Sequence, residues 1–107
     1  NPLELSLFWQ TDEQTDTSFR VFVQLLNEAG QPVAVSDQEP AVWSRPTTSW
    51  IRGEYITDPH TLHLPADLPS GDYTLIAGMY NPINGQRLTT RAGTDAVIIQ
   101  ELTLNNE

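Results

Sequence analysis

Leu68-Pro69-Ser70-Gly71-Asp72-Tyr73 runs directly into Thr74-Leu75-Ile76-Ala77-Gly78-Met79-Tyr80, and this stretch decides the fold. A Pro/Gly corner followed by a tyrosine and an alternating apolar run is how an antiparallel sandwich turns into a central strand. The ring of Tyr73 is expected to be buried there with its hydroxyl bonded back to the corner backbone, as in the tyrosine corner of immunoglobulin-like domains. Working outward, Leu3, Leu5, Leu7 and Trp9 alternate with Glu4, Ser6, Phe8 and Gln10, the period of two of a strand with one face in the core. Phe19, Val21, Val23 and Leu25 alternate in the same way, with Phe22 and Leu26 giving the second face apolar character too. Asn27-Glu28-Ala29-Gly30 places glycine where a hairpin turn needs positive φ, so Gln31 to Ser36 is expected to return as the partner strand.

Asp37 to Trp50 loses the alternation and reads as a long ordered connection, with Trp43 and Trp50 as its large apolar groups. Glu54 to Asp58 and His60 to Leu64 read as one strand interrupted at Pro59, whose missing N–H confines it to a sheet edge or a bulge. Asn81-Pro82-Ile83-Asn84-Gly85 predicts a tight turn and Gln86 to Thr90 a short strand. In the last strand Val97 and Ile99 share one phase whereas Leu102 and Leu104 share the other. A one-residue slip near Gln100-Glu101 reconciles them. No helix longer than a turn is expected. The sum is an all-β chain, an immunoglobulin-like or fibronectin III-like antiparallel β-sandwich of seven or eight strands, forming a single domain over 1–107.

Its 107 residues suffice for one two-layer core, and the absence of cysteine excludes disulfides and thiolate zinc sites. No apolar run approaches the roughly 20 residues that span a bilayer, so this segment is not expected to insert in a membrane by itself. A start at Asn1 rather than Met suggests a piece excised from a larger protein. The net charge is −9, and all five basic residues are arginines, a field that repels phosphate backbones and argues against nucleic-acid partners.

Catalytic chemistry finds little support. No Gly-x-Ser-x-Gly elbow is present, Ser70 is explained by its corner, and paired carboxylates lack an evident cleft, so no catalytic residue is assigned. His60 and His63, three apart on a strand, point to opposite faces and are expected to be solvated rather than metal ligands. Asp12, Glu13 and Asp16 lack the spacing that wraps a backbone around calcium. No metal or cofactor is implied. The binding candidates are Trp43, Trp50, Arg52 and Tyr80: indole and phenol faces stack on sugar rings while a guanidinium bonds their hydroxyls. The competing reading is that the two tryptophans plug an open end of the sandwich.

Phe22-Val23-Gln24-Leu25-Leu26 with Gly30, Trp50-Ile51-Arg52-Gly53-Glu54, Asp58, Leu64 to Tyr73, Gly78-Met79-Tyr80 and Gly85-Gln86-Arg87-Leu88 together give a resemblance. The chain resembles the small C-terminal β-sandwich domain of bacterial multi-pass membrane proteins related to dolichyl-phosphate-mannose-type glycosyltransferases. That resemblance implies a non-catalytic extracytoplasmic accessory or interaction domain, tethered through a membrane portion elsewhere in the parent. Its partners would be other parts of the parent or a protein or glycan ligand. A carbohydrate-binding module is the alternative.

Overall fold

The computed structural model describes residues 2–105. It is all-β, with strands β1 (Pro2–Gln10), β2 (Arg20–Leu26), β3 (Pro32–Gln38), β4 (Tyr55–His63), β5 (Gly71–Tyr80) and β6 (Val97–Leu104), and a single 3₁₀ turn, Thr47–Ser49. Every pairing is antiparallel. One sheet has the order β3-β2-β5-β6, the other is the pair β1-β4.

The two sheets share one hydrophobic core. Val21, Val23 and Leu25 of β2 and Tyr73, Leu75, Ala77 and Met79 of β5 face Ile56 and Leu62 of β4, with Leu3, Leu5, Leu7 and Trp9 packed against them. These are the inward phases expected from the alternation. Tyr73 is buried and its hydroxyl donates to the Pro69 carbonyl at 2.6 Å, closing the corner before β5. Gly30 has φ 79 and donates to the Asn27 carbonyl, so the β2–β3 hairpin turns where glycine's freedom is required.

β6 contains the expected slip. Leu75 is opposite Gln100 but Ile76 is opposite Ile98, which leaves Ile99 as the extra residue of a bulge. Val97, Leu102 and Leu104 thereby all fall on the inner face, opposite Ala77, Tyr73 and Gly71.

Three expectations are corrected. The described residues form six strands rather than seven or eight, because Gln86 to Thr90 makes only a single bridge, Arg87 to Tyr80. β3 runs on to Gln38, shortening the connection that was expected to begin at Asp37. Pro59 does not interrupt its strand: β4 is continuous, with Pro59 opposite Ser6. Lacking an N–H, Pro59 takes a non-hydrogen-bonded pair position, and its carbonyl points away from β1 to accept from Gln38 Nε2 at 2.9 Å. The expected edge placement of this proline is therefore what makes the uninterrupted strand feasible.

On the outer face of the larger sheet Phe22 is buried, with the Arg87 guanidinium 4.2 Å from its ring centroid and the Tyr80 ring at 6.4 Å. Gly78, directly across from Phe22 on β5, makes this possible: a Cβ there would lie 2.5 Å from the Phe22 ring. Gly78→Ala is expected to cost about 1 to 3 kcal/mol by overpacking. Urea denaturation measures it, and an unchanged midpoint would show that the ring is free to move aside.

Candidate functional site

The connection between β3 and β4 contains the most unusual backbone of the molecule. Ala41, Val42 and Trp43 have φ of 57, 54 and 69, three successive non-glycine residues in the left-handed region. Each such residue costs about 1 to 2 kcal/mol, and a β-branched one such as Val42 is a genuine outlier. The turn persists because its polar groups are held from several sides. Trp43 N donates to Glu39 O at 3.0 Å, Arg45 N to Pro40 O at 3.1 Å and Ser44 N to Ala41 O at 3.1 Å. The Ser44 hydroxyl also donates to Ala41 O at 2.6 Å.

The deepest anchor is Asp58, wholly buried on β4. Its Oδ1 accepts from Ala41 N at 2.9 Å, while Oδ2 accepts from Trp9 Nε1 at 3.0 Å and lies 2.8 Å from His60 Nε2. His60 Nδ1 in turn lies 2.7 Å from Ser36 Oγ on β3. One carboxylate thus ties β1, β4 and the strained turn together, and the imidazole extends the chain to β3. Burial pushes the Asp58 carboxyl up, but hydrogen bonds from His60, Trp9 and Ala41 outweigh it and the net displacement is downward.

A lowered native pKa means the unfolded state takes up the proton first. The stability Asp58 contributes is therefore complete above the ordinary carboxylate value, about 3.9, and is lost as pH falls through the lower native value. Thermal unfolding is expected to be flat with respect to this group above about pH 5 and to weaken steeply below about pH 4. In Asp58→Asn that part of the acid slope disappears. An unchanged slope would count against the assignment.

A serine, a histidine and an aspartate in one hydrogen-bonded line invite comparison with a nucleophilic triad. The site does not supply the rest. Asp58 and His60 have side chains with no solvent exposure. What the arrangement does chemically is satisfy a buried carboxylate with every donor around it.

Comparison with protein-family models, with curated proteins and with solved structures found no match.

The four binding candidates are not assembled into one platform. Trp50 is 5 % exposed, belongs to the core and donates its Nε1 to the Arg45 carbonyl at 3.0 Å. It has no free face for a sugar, and this corrects the expectation that placed it in the site. Arg52 is exposed on the turn leading into β4. Trp43, by contrast, is 49 % exposed at the strained turn, with the Arg20 guanidinium 5.2 Å from its ring centroid. Arg20 pairs across the sheet with Tyr80, whose hydroxyl donates to both Asp37 carboxylate oxygens at 2.7 Å. Burial and the Asp37 hydrogen bond push the Tyr80 phenol up, opposed by Arg20.

Trp43, Arg20, Tyr80 and Asp37 thus form one rim. Arg20 and Asp37 are the members that sequence reasoning missed: nothing in their spacing distinguishes them from other charged strand residues. His60 is also corrected. Expected to be solvated, it is buried, because β4 turns its even-numbered residues inward. His63 is on the exposed phase as expected. The guanidinium partner of Glu54 is Arg45, in a two-pronged pair at 2.7 and 3.1 Å. It holds the Glu54 carboxyl below its usual range, helped by the Ile51 N–H.

Proposed function

We propose that this chain is a non-catalytic interaction or accessory module. It is an immunoglobulin-like or fibronectin III-like sandwich set outside the cytoplasm, in a larger membrane-bound, glycosyltransferase-like protein. One observation carries the non-catalytic reading: the Ser36–His60–Asp58 line is consumed in clamping strands together, with the histidine and the carboxylate sealed from solvent. The Tyr73 corner supports the immunoglobulin-like assignment. The membrane-bound setting rests on the resemblance of the sequence motifs.

Intact mass after treatment with a fluorophosphonate probe tests the reading. No adduct is expected, and no turnover of nitrophenyl ester or nitrophenyl glycoside substrates. A covalent adduct on Ser36, abolished in Ser36→Ala, would overturn it. The setting is cell-surface or periplasm-facing, and protease accessibility of the domain in spheroplasts, whose outer envelope is removed, against lysed spheroplasts tests it. Digestion only after lysis would contradict it.

A second reading, sugar binding, is favoured by the half-exposed Trp43 on its fixed turn beside Arg20 and Tyr80. Titration of tryptophan fluorescence with a panel of oligosaccharides decides it. Under this reading a saturable change appears and is lost in Trp43→Ala, whereas silence across the panel ends it.

A further inference from the structure

The smaller sheet leaves part of the larger one uncovered. β4 packs against β3 and β2. On the opposite side of β1 a groove of about 300 Å³ opens, lined by Leu7 and Trp9 of β1, Ala77 and Met79 of β5, and Val97 and Ile99 of β6, with no β4 residue in its wall. Val97 is 51 % exposed and Ile99 41 %, although both line the groove, whose remaining wall is formed by Phe8, Gly78 and the 88–90 and 95–96 stretches between β5 and β6.

The same side of β1 is a free strand edge. Among the described residues β1 pairs only with β4. Since Ser6 faces Pro59, which has no N–H, the Ser6 pair is non-hydrogen-bonded. By alternation the N–H and C=O groups of Glu4, Ser6 and Phe8 point away from β4, over the groove. The other free edge of the small sheet, on β4, is blunted by Pro59 and by Gln38 bonded to its carbonyl.

We propose that an extended peptide segment of alternating apolar and basic residues docks here as an added strand on β1. Main-chain groups of Glu4, Ser6 and Phe8 supply the ladder. Every second side chain of the ligand enters the apolar groove, and the others lie beside Glu4 and Phe8 on the outer face. Charge selects the ligand. Neither β1 nor β6 carries a lysine or arginine, Glu4 stands on the free edge of β1, Asp12 and Glu13 lie just past its end, and the one charged residue in the groove wall is Asp95, 3.4 Å from Arg87. At −9 per chain a second copy is the disfavoured occupant. The inference rests on the interaction-module reading and names the partner's chemistry.

The test is an amide NMR titration of the full chain with a nine-residue peptide alternating lysine and valine, matched to β1 in length. A glutamate–valine peptide is the control. The lysine peptide is expected to shift the amides of Glu4, Ser6, Phe8 and Val97 to Ile99, and the glutamate peptide to bind at least tenfold more weakly. Ser6→Pro removes an outward N–H that β4 does not use, so it is compatible with the fold and is expected to weaken binding at least tenfold. Circular dichroism checks its folding, and Ile99→Lys, which puts a like charge in the groove, takes its place should it unfold.

Undiminished binding by the folded variant, no binding, or shifts confined to another surface would overturn the docking. So would a concentration-dependent dimer broadening the same β1 amides, which would make the occupant a second copy. Turnover in the hydrolase assays would instead overturn the module reading, whatever the peptide does.

Discussion

Asp58→Ala is expected to destabilise the chain by about 3 to 5 kcal/mol, the cost of leaving several buried donors without their acceptor. Three groups lose their acceptor at once: Trp9 Nε1, Ala41 N and His60 Nε2. Each buried donor left unpaired costs about 1 to 3 kcal/mol, and the strained turn loses its deepest anchor. Against a total of about 5 to 15 kcal/mol for an ordinary domain, this is a large fraction of the stability. Asp58→Asn keeps the volume and one acceptor oxygen but turns an NH₂ toward surrounding donors, so its loss is expected to be smaller though still clear. Chemical denaturation of both variants measures the difference. A loss below about 1 kcal/mol for Asp58→Ala would show that the carboxylate is dispensable.

The second large effect belongs to Trp50. Trp50→Ala removes a core indole and its bond to the Arg45 carbonyl, and is expected to cost about 3 to 5 kcal/mol. Trp43→Ala removes an indole that is half exposed, so its effect on stability is expected to be far smaller. The contrast separates the two tryptophans, which the sequence presents as equivalent members of one loop. Equal losses for both would mean that Trp43 is also structural, and would remove the basis of the sugar-binding reading.

Why those two residues look alike in sequence is instructive. Alternation reports burial wherever a strand has one inward face, so the inner phases of β1, β2 and β5 and the Tyr73 corner are legible from residue order, as is a slip in β6, which residue order places near Gln100-Glu101 and the structure at Ile99. The stretch from Glu39 to Glu54 has no period, and there burial depends on partners far away in the chain. Trp50 is buried because the core lies beneath it, whereas Trp43 is lifted outward by a left-handed turn that no glycine announces.

The polar clamp was hidden for a related reason. Asp58 and His60 share the inward phase of β4 with Ile56 and Leu62, but a polar residue on an inward phase ordinarily argues against burial. Only the arrival of Trp9, Ala41 and Ser36 from three other segments makes it tolerable. A strand broken at Pro59 would uncouple Asp58 from His60, and the continuity of β4 is what lets the two act together.

Amide hydrogen exchange at Ala41 bears most directly on the central claim, that a buried carboxylate fixes the strained turn bearing Trp43. Ala41 sits in an irregular connection, yet its N–H bonded to Asp58 is expected to exchange at a rate comparable with the core-strand amide of Val23, and to lose that protection in Asp58→Asn. Exchange in wild type as fast as at the exposed Asp12 would contradict the account.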